Sequence, residues 1–260
     1  MSIFTTEITS DRIPSDNPLH HRLLSAYYLA KNYIDGDVLE LGCGEGRGID
    51  VILKKSKTFT AIDKIKDAVD ALSAKYPKHN FLSKLFPPMG YIEDKSFDTI
   101  ISFQVIEHIE DDDLFLNEIF RILRPGGKAI ITTPNIKMTL TRNPWHIREY
   151  TSKELIDISS KYFPNVEIKG ISGNTKVIDY YNNNVKSVQK FKRLDFLNLE
   201  KHLPNFIYKI PYELLNRFNR NNLKNDNNKL VSSISYKDYL LVNDNPNNLD
   251  LFLILKKDKN

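Results

Sequence analysis

The sequence predicts a doubly wound α/β protein, in which helices cover both faces of a mostly parallel sheet. Strand-like and helix-like segments alternate from residue 37 to residue 171, a pattern that calls for parallel strands. A glycine cluster follows the first of these strands, and the later strands are nearly continuous in apolar residues, as strands covered on both faces are. The chain has 260 residues, of which 41% are hydrophobic and 27% charged, so it can bury one substantial core.

The first half of the pattern begins with a helix and a short strand on either side of residue 36. Apolar residues recur at helical spacing in the first segment, and β-branched or aromatic residues dominate the strands. The expected elements are, in order, a helix over 18–34, a strand over 37–41, the glycine cluster over 42–48, a helix over 49–55, a strand over 58–62 and a helix over 67–76 that Pro77 ends.

The second half of the pattern contains the strands with the most continuous apolar character. Acidic residues open one helix here, where they suit the positive end of the helix dipole, and Thr151 with Glu154 has the spacing of a capping box. The expected elements are a strand over 96–103, a helix from 110 to 123, a turn over 124–127, a strand over 128–133, a helix over 151–162 and a strand over 166–171.

The C-terminal third changes character and becomes rich in tyrosine, asparagine and lysine. Apolar residues in 203–218 keep helical spacing, with Pro211 at the first position of a second helix, and 219–233 is expected to be a loop. Residues 239–242 and 249–255 are strand-like. We therefore divide the chain into a helical segment (1–36), a core (37–174), a basic amphipathic helical insertion (175–230) and final strands that complete the sheet (231–260).

Charge and cysteine content limit the classes of protein to which this chain can belong. Residues 171–260 hold 15 basic and 9 acidic side chains, which favours either a solvated helical face or an anionic partner. Cys43 is the single cysteine, so an internal disulfide and a multi-cysteine zinc site are excluded. No apolar run reaches the roughly eighteen residues of a membrane span, and we expect a cytoplasmic protein.

The glycine cluster is the most informative motif. Glycines at the carboxyl end of a first strand let the backbone approach a bound cofactor closely. No Gly-Lys-Ser/Thr follows, so the cluster is not a phosphate loop. It also fails the dinucleotide pattern G-x-G-x-x-G, because the third glycine position is Arg47 or Ile49. A hydride-transferring enzyme is therefore disfavoured.

Four motifs in order resemble the class I S-adenosylmethionine-dependent methyltransferases. Residues 38–46 (VLELGCGEG) look like the first motif, 98–108 like the fourth, 124–127 like the turn before the fifth strand and 133–135 like the segment after it. The resemblance implies a Rossmann-like, seven-stranded sheet with an inserted C-terminal helical lid. It also implies S-adenosyl-L-methionine as cofactor and S-adenosyl-L-homocysteine as product.

The resemblance assigns roles to residues of the first two strands. Glu40 would orient the loop and the methionine ammonium of the cofactor, and the loop residues Gly42, Cys43, Gly44 and Gly46 would give the cofactor space. Asp63 would accept hydrogen bonds from the ribose hydroxyls, with a helix N-cap as the alternative.

The remaining cofactor residues come from the third and fourth strands. Members of the family usually have an acidic residue near the end of the third strand for the adenine amino group, whereas residues 83–87 have none. Backbone groups of Lys84 and Leu85 would have to serve instead. Phe103 and Gln104, just past the fourth strand, would face the sulfonium and its methyl group.

Methyl transfer requires that the acceptor be positioned and, for oxygen or nitrogen, deprotonated. His108 and His146 are the candidate bases, and for His108 a structural hydrogen bond is an equal alternative. Trp145, His146, Arg148 and Tyr150 are candidate substrate residues, because they follow the fifth strand where such folds bind substrates. Trp145 can instead cover the core edge, and Arg148 can pair with an anionic substrate or with Glu149.

A metal site is disfavoured. A subfamily that includes quinone O-methyltransferases and small-RNA methyltransferases has E-x-x-E-H at this point, where both glutamates hold a divalent cation with histidines. Here Gln104 replaces the first glutamate, and losing a carboxylate weakens a site for a hard cation. We expect no metal.

The segment after the fifth strand and the basic insertion resemble bacterial methyltransferases of cell-surface glycan and lipid biosynthesis. The resemblance suggests O-methylation of a sugar, a lipid-linked molecule or another small polar acceptor, with 175–224 as a lid. The same segment could instead contact the inner face of the membrane or a partner protein. RNA methylation at a 2'-hydroxyl or a base, and a non-catalytic cofactor-binding subunit, are the alternatives, although the sequence has no recognisable RNA-binding module.

Overall fold

The computed structural model describes residues 13–194 and 203–259, and within them the chain forms one eight-stranded sheet with helices on both faces. The order of strands is β3-β2-β1-β4-β5-β8-β6-β7. The strands are β1 (Asp37–Leu41), β2 (Thr58–Asp63), β3 (Asn80–Ser83), β4 (Phe97–Phe103), β5 (Leu123–Pro134), β6 (Asn165–Gly173), β7 (Tyr239–Asn243) and β8 (Asp250–Lys256).

The helices alternate with the first six strands, except that β4 follows β3 without a helix between them, and then follow one another in the C-terminal third. They are α1 (Asn17–Ala30), α2 (Ile49–Ile52), α3 (Lys66–Lys75), α4 (Asp112–Ile122), α5 (Ser152–Ser159), α6 (Thr175–Leu194), α7 (Asn205–Asp226) and α8 (Asn228–Ser233). The predicted doubly wound α/β class is confirmed by this arrangement.

Two apolar clusters, one on each face of the sheet, form the core. Val38 and Ile101 point into one cluster with helix α1, whereas their neighbours Leu39 and Ile100 point into the other with helix α4. Successive residues of a strand face opposite sides of a sheet, so strands covered by helices on both sides need apolar residues at every position. This explains the continuous apolar runs of the sequence.

The sheet has eight strands, not the seven expected. Strands β7 and β8 do not form a hairpin with each other. Both pair antiparallel with β6, one on each side of it, and β8 also pairs antiparallel with β5. The last strand of the chain therefore lies inside the sheet, and β7 adds an eighth strand at its edge. A smaller difference concerns 124–127, which belong to β5 instead of forming a separate turn.

The capping box predicted at the start of α5 is confirmed, and a carboxylate caps α4. Thr151 accepts a hydrogen bond from the backbone of Glu154, whose side chain accepts one in return, so the capping box is present. Asp111 caps α4 by accepting from the Leu114 backbone N–H at 2.9 Å. Such caps satisfy donors that the helix itself leaves unpaired.

The C-terminal third differs from its predicted local structure. Pro211 lies inside α7 and does not start a helix, and 219–233, expected to be a loop, are helical up to Asp226 and again in α8. Tertiary contacts override the weak helix propensity of asparagine here. Asn219 donates to the side chain of Asn184 at 2.8 Å, and Arg220 donates to Asp16 at 3.1 Å. No helix in the ranges 13–194 and 203–259 combines the length and apolar content of a bilayer span.

Candidate functional site

The glycine loop is connected to strand β2 by one carboxylate. Asp63, at the end of β2, accepts hydrogen bonds from the backbone N–H of Gly44 at 2.7 Å and of Ile65 at 2.9 Å. The Gly42 N–H donates to the carbonyl of Ile62 at 2.8 Å. The loop is therefore held against the carboxyl ends of β1 and β2, where open α/β sheets bind ligands.

The three glycines of the loop have different reasons to be glycine. All three have positive φ, which glycine adopts without strain. A Cβ on Gly42 would lie 2.3 Å from Val105, and one on Gly46 would lie 2.4 Å from Leu72, so both are needed for packing. A Cβ on Gly44 would meet nothing within 4 Å. Gly44 therefore borders open space at the mouth of the loop.

Glu40 is buried beside this space with one carboxylate oxygen satisfied. Its Oε1 accepts from the Tyr27 hydroxyl at 2.7 Å, whereas its Oε2 is buried without a hydrogen-bond partner. Burial, together with the nearby Asp63, raises the pKa of Glu40 to about 7. A positively charged hydrogen-bond donor would stabilise this buried oxygen, which has no partner among the residues that the structure describes.

The remaining predicted cofactor residues surround the same edge of the sheet. Phe103 is buried, with its ring 4.8 Å from that of Tyr27, and Gln104 has a φ of 58° at the end of β4. The Lys84 N–H donates to the Asp63 carbonyl at 3.1 Å, and Leu85 is 75% exposed. Cys43 is buried in the core, and burial raises the pKa of its thiol.

A polar cavity of about 310 Å³ lies next to this edge. Its floor is formed by Gln104, Glu107 and His108 at the end of β4, and helices α1, α6 and α7 enclose it. The polar side chains contributed by the enclosing segments include Arg22, Asn135, Asn143, Tyr180, Asn184 and Asn216.

His108 has a ring nitrogen able to accept a proton. Its Nδ1 lies 2.9 Å from the carbonyl oxygen of Trp145, and because a carbonyl only accepts, Nδ1 must carry the hydrogen. The other nitrogen, Nε2, is then an acceptor. Burial, followed by the neighbouring His146, lowers the pKa of His108 to about 4, so the ring is neutral near pH 7.

His146 is bonded at both ring nitrogens. Asn143 accepts from the Trp145 N–H at 3.0 Å, which turns its amide nitrogen toward His146 Nε2 at 2.8 Å. Nε2 therefore accepts a hydrogen bond, and Nδ1 donates to Glu149 Oε1 at 2.6 Å. Glu149 also accepts from the Thr139 hydroxyl. This network holds the His146 ring and leaves no nitrogen for a substrate proton.

Glu107, His108 and His146 bring one potential metal-ligating atom each within 4.8 Å of one another. The hydrogen bonds argue against a cation in this arrangement. A metal ion bound to His146 would have to displace Asn143 or Glu149 from the ring. Glu107 Oε2 is also engaged, because it accepts from the Thr133 hydroxyl at 2.9 Å. Burial raises the pKa of Glu107 to about 7. The donor set fits a network of hydrogen bonds better than a divalent cation.

The structure places Trp145, Arg148 and Tyr150 outside the cavity lining. The Trp145 indole donates to Glu213 of α7 at 2.9 Å, and the Lys209 amine lies 3.6 Å from its ring centroid. Arg148 and the Tyr150 hydroxyl both donate to Asp112, at 2.7 and 2.8 Å. Of the residues predicted to contact substrate, only His146 lines the cavity.

Several residues in or next to the cavity could not be predicted, because no local sequence pattern marks them. Arg22 donates twice to Asp250, at 2.8 and 2.6 Å, although the two are far apart in the chain. Arg220 and Arg217 both donate to Asp16, at 3.1 and 2.8 Å. The abundance of tyrosine and asparagine in 175–224 was the one compositional hint that this segment lines a polar site.

Comparisons with known proteins agree with this geometry. A family model described as a methyltransferase domain matches residues 39–131. A Mycolicibacterium smegmatis protein named a probable S-adenosylmethionine-dependent methyltransferase is 38% identical over 140 residues, which are 50% of this chain and 52% of that protein. Residues 39–131 are therefore a methyltransferase domain of the class I S-adenosylmethionine-dependent type.

Other matches to this chain are more distant. A ubiquinone biosynthesis O-methyltransferase of Rickettsia conorii is 32% identical over 103 residues, which are 38% of this chain and 35% of that protein. A solved methyltransferase of Thermotoga maritima has a TM-score of 0.57 at 17% identity, over 92% of both chains, which supports the fold. The matched part of this chain spans about half the length of the M. smegmatis relative, and less of the R. conorii one.

The loop residues fit the family's cofactor. S-adenosyl-L-methionine carries an ammonium group and two ribose hydroxyls. The orphaned oxygen of Glu40 suits the ammonium, and the open space beside Gly44 leaves room for the ligand. Asp63 keeps further lone pairs on both oxygens, which suits the hydroxyls. Its two backbone hydrogen bonds show that it also holds the loop.

Proposed function

We propose that this methyltransferase methylates a hydroxyl group of an uncharged, polar small molecule, such as a sugar or a lipid-linked sugar, in the cavity beside the glycine loop. The observation that carries the proposal is the cavity floor, where His108 presents an unprotonated Nε2 at the end of β4. The ring is neutral near pH 7, so this nitrogen carries no proton and can accept one.

The charges around the cavity favour an uncharged acceptor. Its two arginines, Arg22 and Arg220, are each paired with a buried carboxylate, Asp250 and Asp16. Among the residues that the structure describes, the lining thus presents amides, hydroxyls and paired ions. Such groups recognise hydroxyl-rich molecules by hydrogen bonds, whereas an anionic acceptor would require an arginine to leave its partner.

In this reaction the protein has only to position the acceptor and remove its proton. When bound, S-adenosyl-L-methionine supplies a methyl group on a positively charged sulfur. The enclosing helices would position the acceptor hydroxyl and exclude water. As the methyl group passes from sulfur to the acceptor oxygen, with S-adenosyl-L-homocysteine as the leaving group, His108 Nε2 would take the proton of that hydroxyl, and the Trp145 carbonyl would accept a hydrogen bond from Nδ1 of the imidazolium. The nearby Glu107 carboxyl can stabilise this charge.

Two measurements test the proposal in sequence. Calorimetric titration with S-adenosyl-L-homocysteine should show micromolar binding that Asp63→Ala abolishes. Asp67→Ala, which removes an exposed carboxylate at the start of α3, should leave binding unchanged. Transfer of radiolabelled methyl from S-adenosyl-L-methionine is then measured on fractionated extracts.

The fractions distinguish the candidate acceptors. Label in a product that glycosidase or mild acid releases supports a sugar acceptor. Label that ribonuclease solubilises would contradict it in favour of RNA. Tight cofactor binding with no transfer to any fraction would support a non-catalytic subunit, and absence of binding would contradict the proposed activity.

A further inference from the structure

Helix α7 carries an exposed apolar face on the side away from the cavity. Half of the large hydrophobic residues that are exposed in 13–194 and 203–259 lie on this one helix. Phe206, Ile210 and Leu214, spaced four residues apart, are 74%, 69% and 68% exposed. Ile207 and Phe218 lie beside this row on the helix, whereas the exposed Leu215 is at its flank, on the side of Tyr208. Contiguous exposed apolar surface of this kind marks an interaction site.

The opposite face of α7 faces the protein. Tyr212, Asn216 and Asn219 line the cavity, and Tyr208 is buried. At 100° per residue, these positions fall on the side of the helix away from Phe206, Ile210 and Leu214. The outward apolar residues are therefore not core residues that happen to be uncovered. They form a second, separate face.

A row of cations lies beside this apolar face. Helix α6 packs against α7, and the hydrogen bond between Asn184 and Asn219 sets their alignment. The Lys176 amine also donates to the Ser233 carbonyl, in the helix that follows α7, at 3.2 Å. The start of α6 therefore lies toward the end of α7, which places 186–193 beside the first half of α7. Lys186, Lys190 and Arg193 are exposed on α6, on the side away from its cavity-lining residues, and 186–193 contain no acidic residue.

We propose that this outward surface of α6 and α7 docks on an anionic lipid bilayer, with Phe206, Ile210 and Leu214 inserted among the headgroups and Lys186, Lys190 and Arg193 against lipid phosphates. A row of apolar side chains next to a row of cations is the composition of helices that lie in a membrane interface. A second copy of this chain would bring like charges together, which the row of cations disfavours.

The position of the surface has a consequence for the cavity. The same two helices line the cavity with their inner faces, so docking would hold the cavity within one helix diameter of the headgroups. An acceptor attached to a lipid would then reach the site without leaving the membrane. The docking itself does not rest on the proposed function, because binding to lipid is measured without cofactor or acceptor.

The test is flotation of the purified protein with vesicles of phosphatidylcholine alone and of phosphatidylcholine with phosphatidylglycerol. The protein should float with the anionic vesicles, and high salt should weaken this binding. The double variant Ile210→Glu, Leu214→Glu should stay in the buffer. The matched control, Asn221→Glu with Asn225→Glu, adds the same charge to exposed positions near the end of α7 and should keep most of the binding.

A second double variant tests the contribution of the cations on α6. Lys190→Gln with Arg193→Gln should lower the partition coefficient on anionic vesicles by about fivefold per charge removed and leave binding to neutral vesicles unchanged. Unchanged thermal unfolding and unchanged S-adenosyl-L-homocysteine binding establish that each variant is folded.

Three outcomes would overturn the proposal. The first is a wild-type protein that floats with neither vesicle. The second is equal loss of binding in the apolar variant and its matched control. The third is a dimer in sedimentation that the apolar variant converts to a monomer, which would assign the surface to a second copy of the chain.

Discussion

The two histidines at the cavity floor differ in which ring nitrogen can accept a proton. Hydrogen bonds to the Trp145 carbonyl and to Asn143 determine this difference, since they settle the tautomer of each ring. His108 keeps an acceptor nitrogen, whereas both nitrogens of His146 are engaged. At the residue scale, His108 is therefore the candidate catalytic base and His146 a positioning residue.

This assignment predicts different kinetic effects for matched substitutions. His108→Gln, which can still donate to the Trp145 carbonyl, should lower kcat by about 10²-fold or more because the proton acceptor is lost. His146→Gln should mainly raise KM for the acceptor through a looser segment over the cavity. Steady-state methyl transfer measures both, with S-adenosyl-L-homocysteine affinity as the control. A larger loss of kcat in His146→Gln would reverse the two roles.

The raised pKa of Glu40 should make the stability of the folded protein depend on pH. Its pKa of about 7 in the folded protein lies above the ordinary value of 4.5, so the folded state binds the proton more tightly than the unfolded state does. Stability is therefore lost as pH rises from about 4.5 through 7, by up to about 3 kcal/mol.

The variant Glu40→Gln should show a smaller loss of unfolding free energy between about pH 5 and pH 8. Urea unfolding at the two pH values measures it. Glu45→Gln, at an exposed position of the same loop, should behave as the wild type. Parallel losses in Glu40→Gln and the wild type would show that the carboxylate is ionised without cost in the folded protein.

At the scale of elements, the helical lid is attached to the N-terminal segment by a buried carboxylate. Asp16 is fully buried and accepts from Arg217 and Arg220 of α7, at 2.8 and 3.1 Å. One to two turns earlier on the same side of α7, Glu213 accepts from the Trp145 indole at 2.9 Å. These contacts determine where α7 lies over the cavity, which the helix propensity of its residues does not.

Removing the charge of Asp16 should therefore loosen the lid before the sheet. We expect Asp16→Asn to lower the unfolding free energy by about 3 kcal/mol, because two guanidinium groups lose their buried partner. Amide hydrogen exchange should accelerate in α7 and not in β1 or β4. Trp145 is the single tryptophan, so its emission reports whether α7 has moved. Asp179→Asn, at an exposed position on α6, is the control, and equal exchange in both variants would contradict the prediction.

At the scale of the whole molecule, the last strand of the chain lies near the middle of the sheet. Strand β8 is paired on both sides and its residues from Leu251 to Leu255 are fully buried. Strand β7 is paired on one side only, and its Leu240 is 46% exposed. Integrity of the C-terminal end is thus as important to the core as that of β1.

The matched substitutions Leu253→Ala and Leu240→Ala test this sheet order. The first should lower the unfolding free energy by about 2–5 kcal/mol, since it leaves a cavity between fixed strands. The second should cost less than about 1 kcal/mol, because the site is half exposed. Urea unfolding measures both, and similar losses would be inconsistent with β8 as the inner strand.

The local features of the fold followed from short stretches of sequence. The glycine loop, the alternation of strands and helices up to β6, and the Thr151 capping box were all predicted, because each depends on residues within a few positions of one another. Glu40 and the loop glycines were predicted from the family resemblance, which one short stretch carries, and Asp63 from its place at the end of the next strand. The class of fold and the family are therefore encoded in local sequence.

The acceptor side of the site was decided by contacts between distant parts of the chain. Asp16 meets Arg220, and Arg22 meets Asp250, across most of the sequence, and no local pattern encodes such a pair. The same contacts make 219–226 helical against their own propensity and turn the apolar side of α7 outward. The tautomers of His108 and His146 depend in turn on where Trp145 and Asn143 come to lie. Local sequence thus determined the cofactor side of the site, whereas the cavity formed only when packing brought the N-terminal segment against the C-terminal third of the chain.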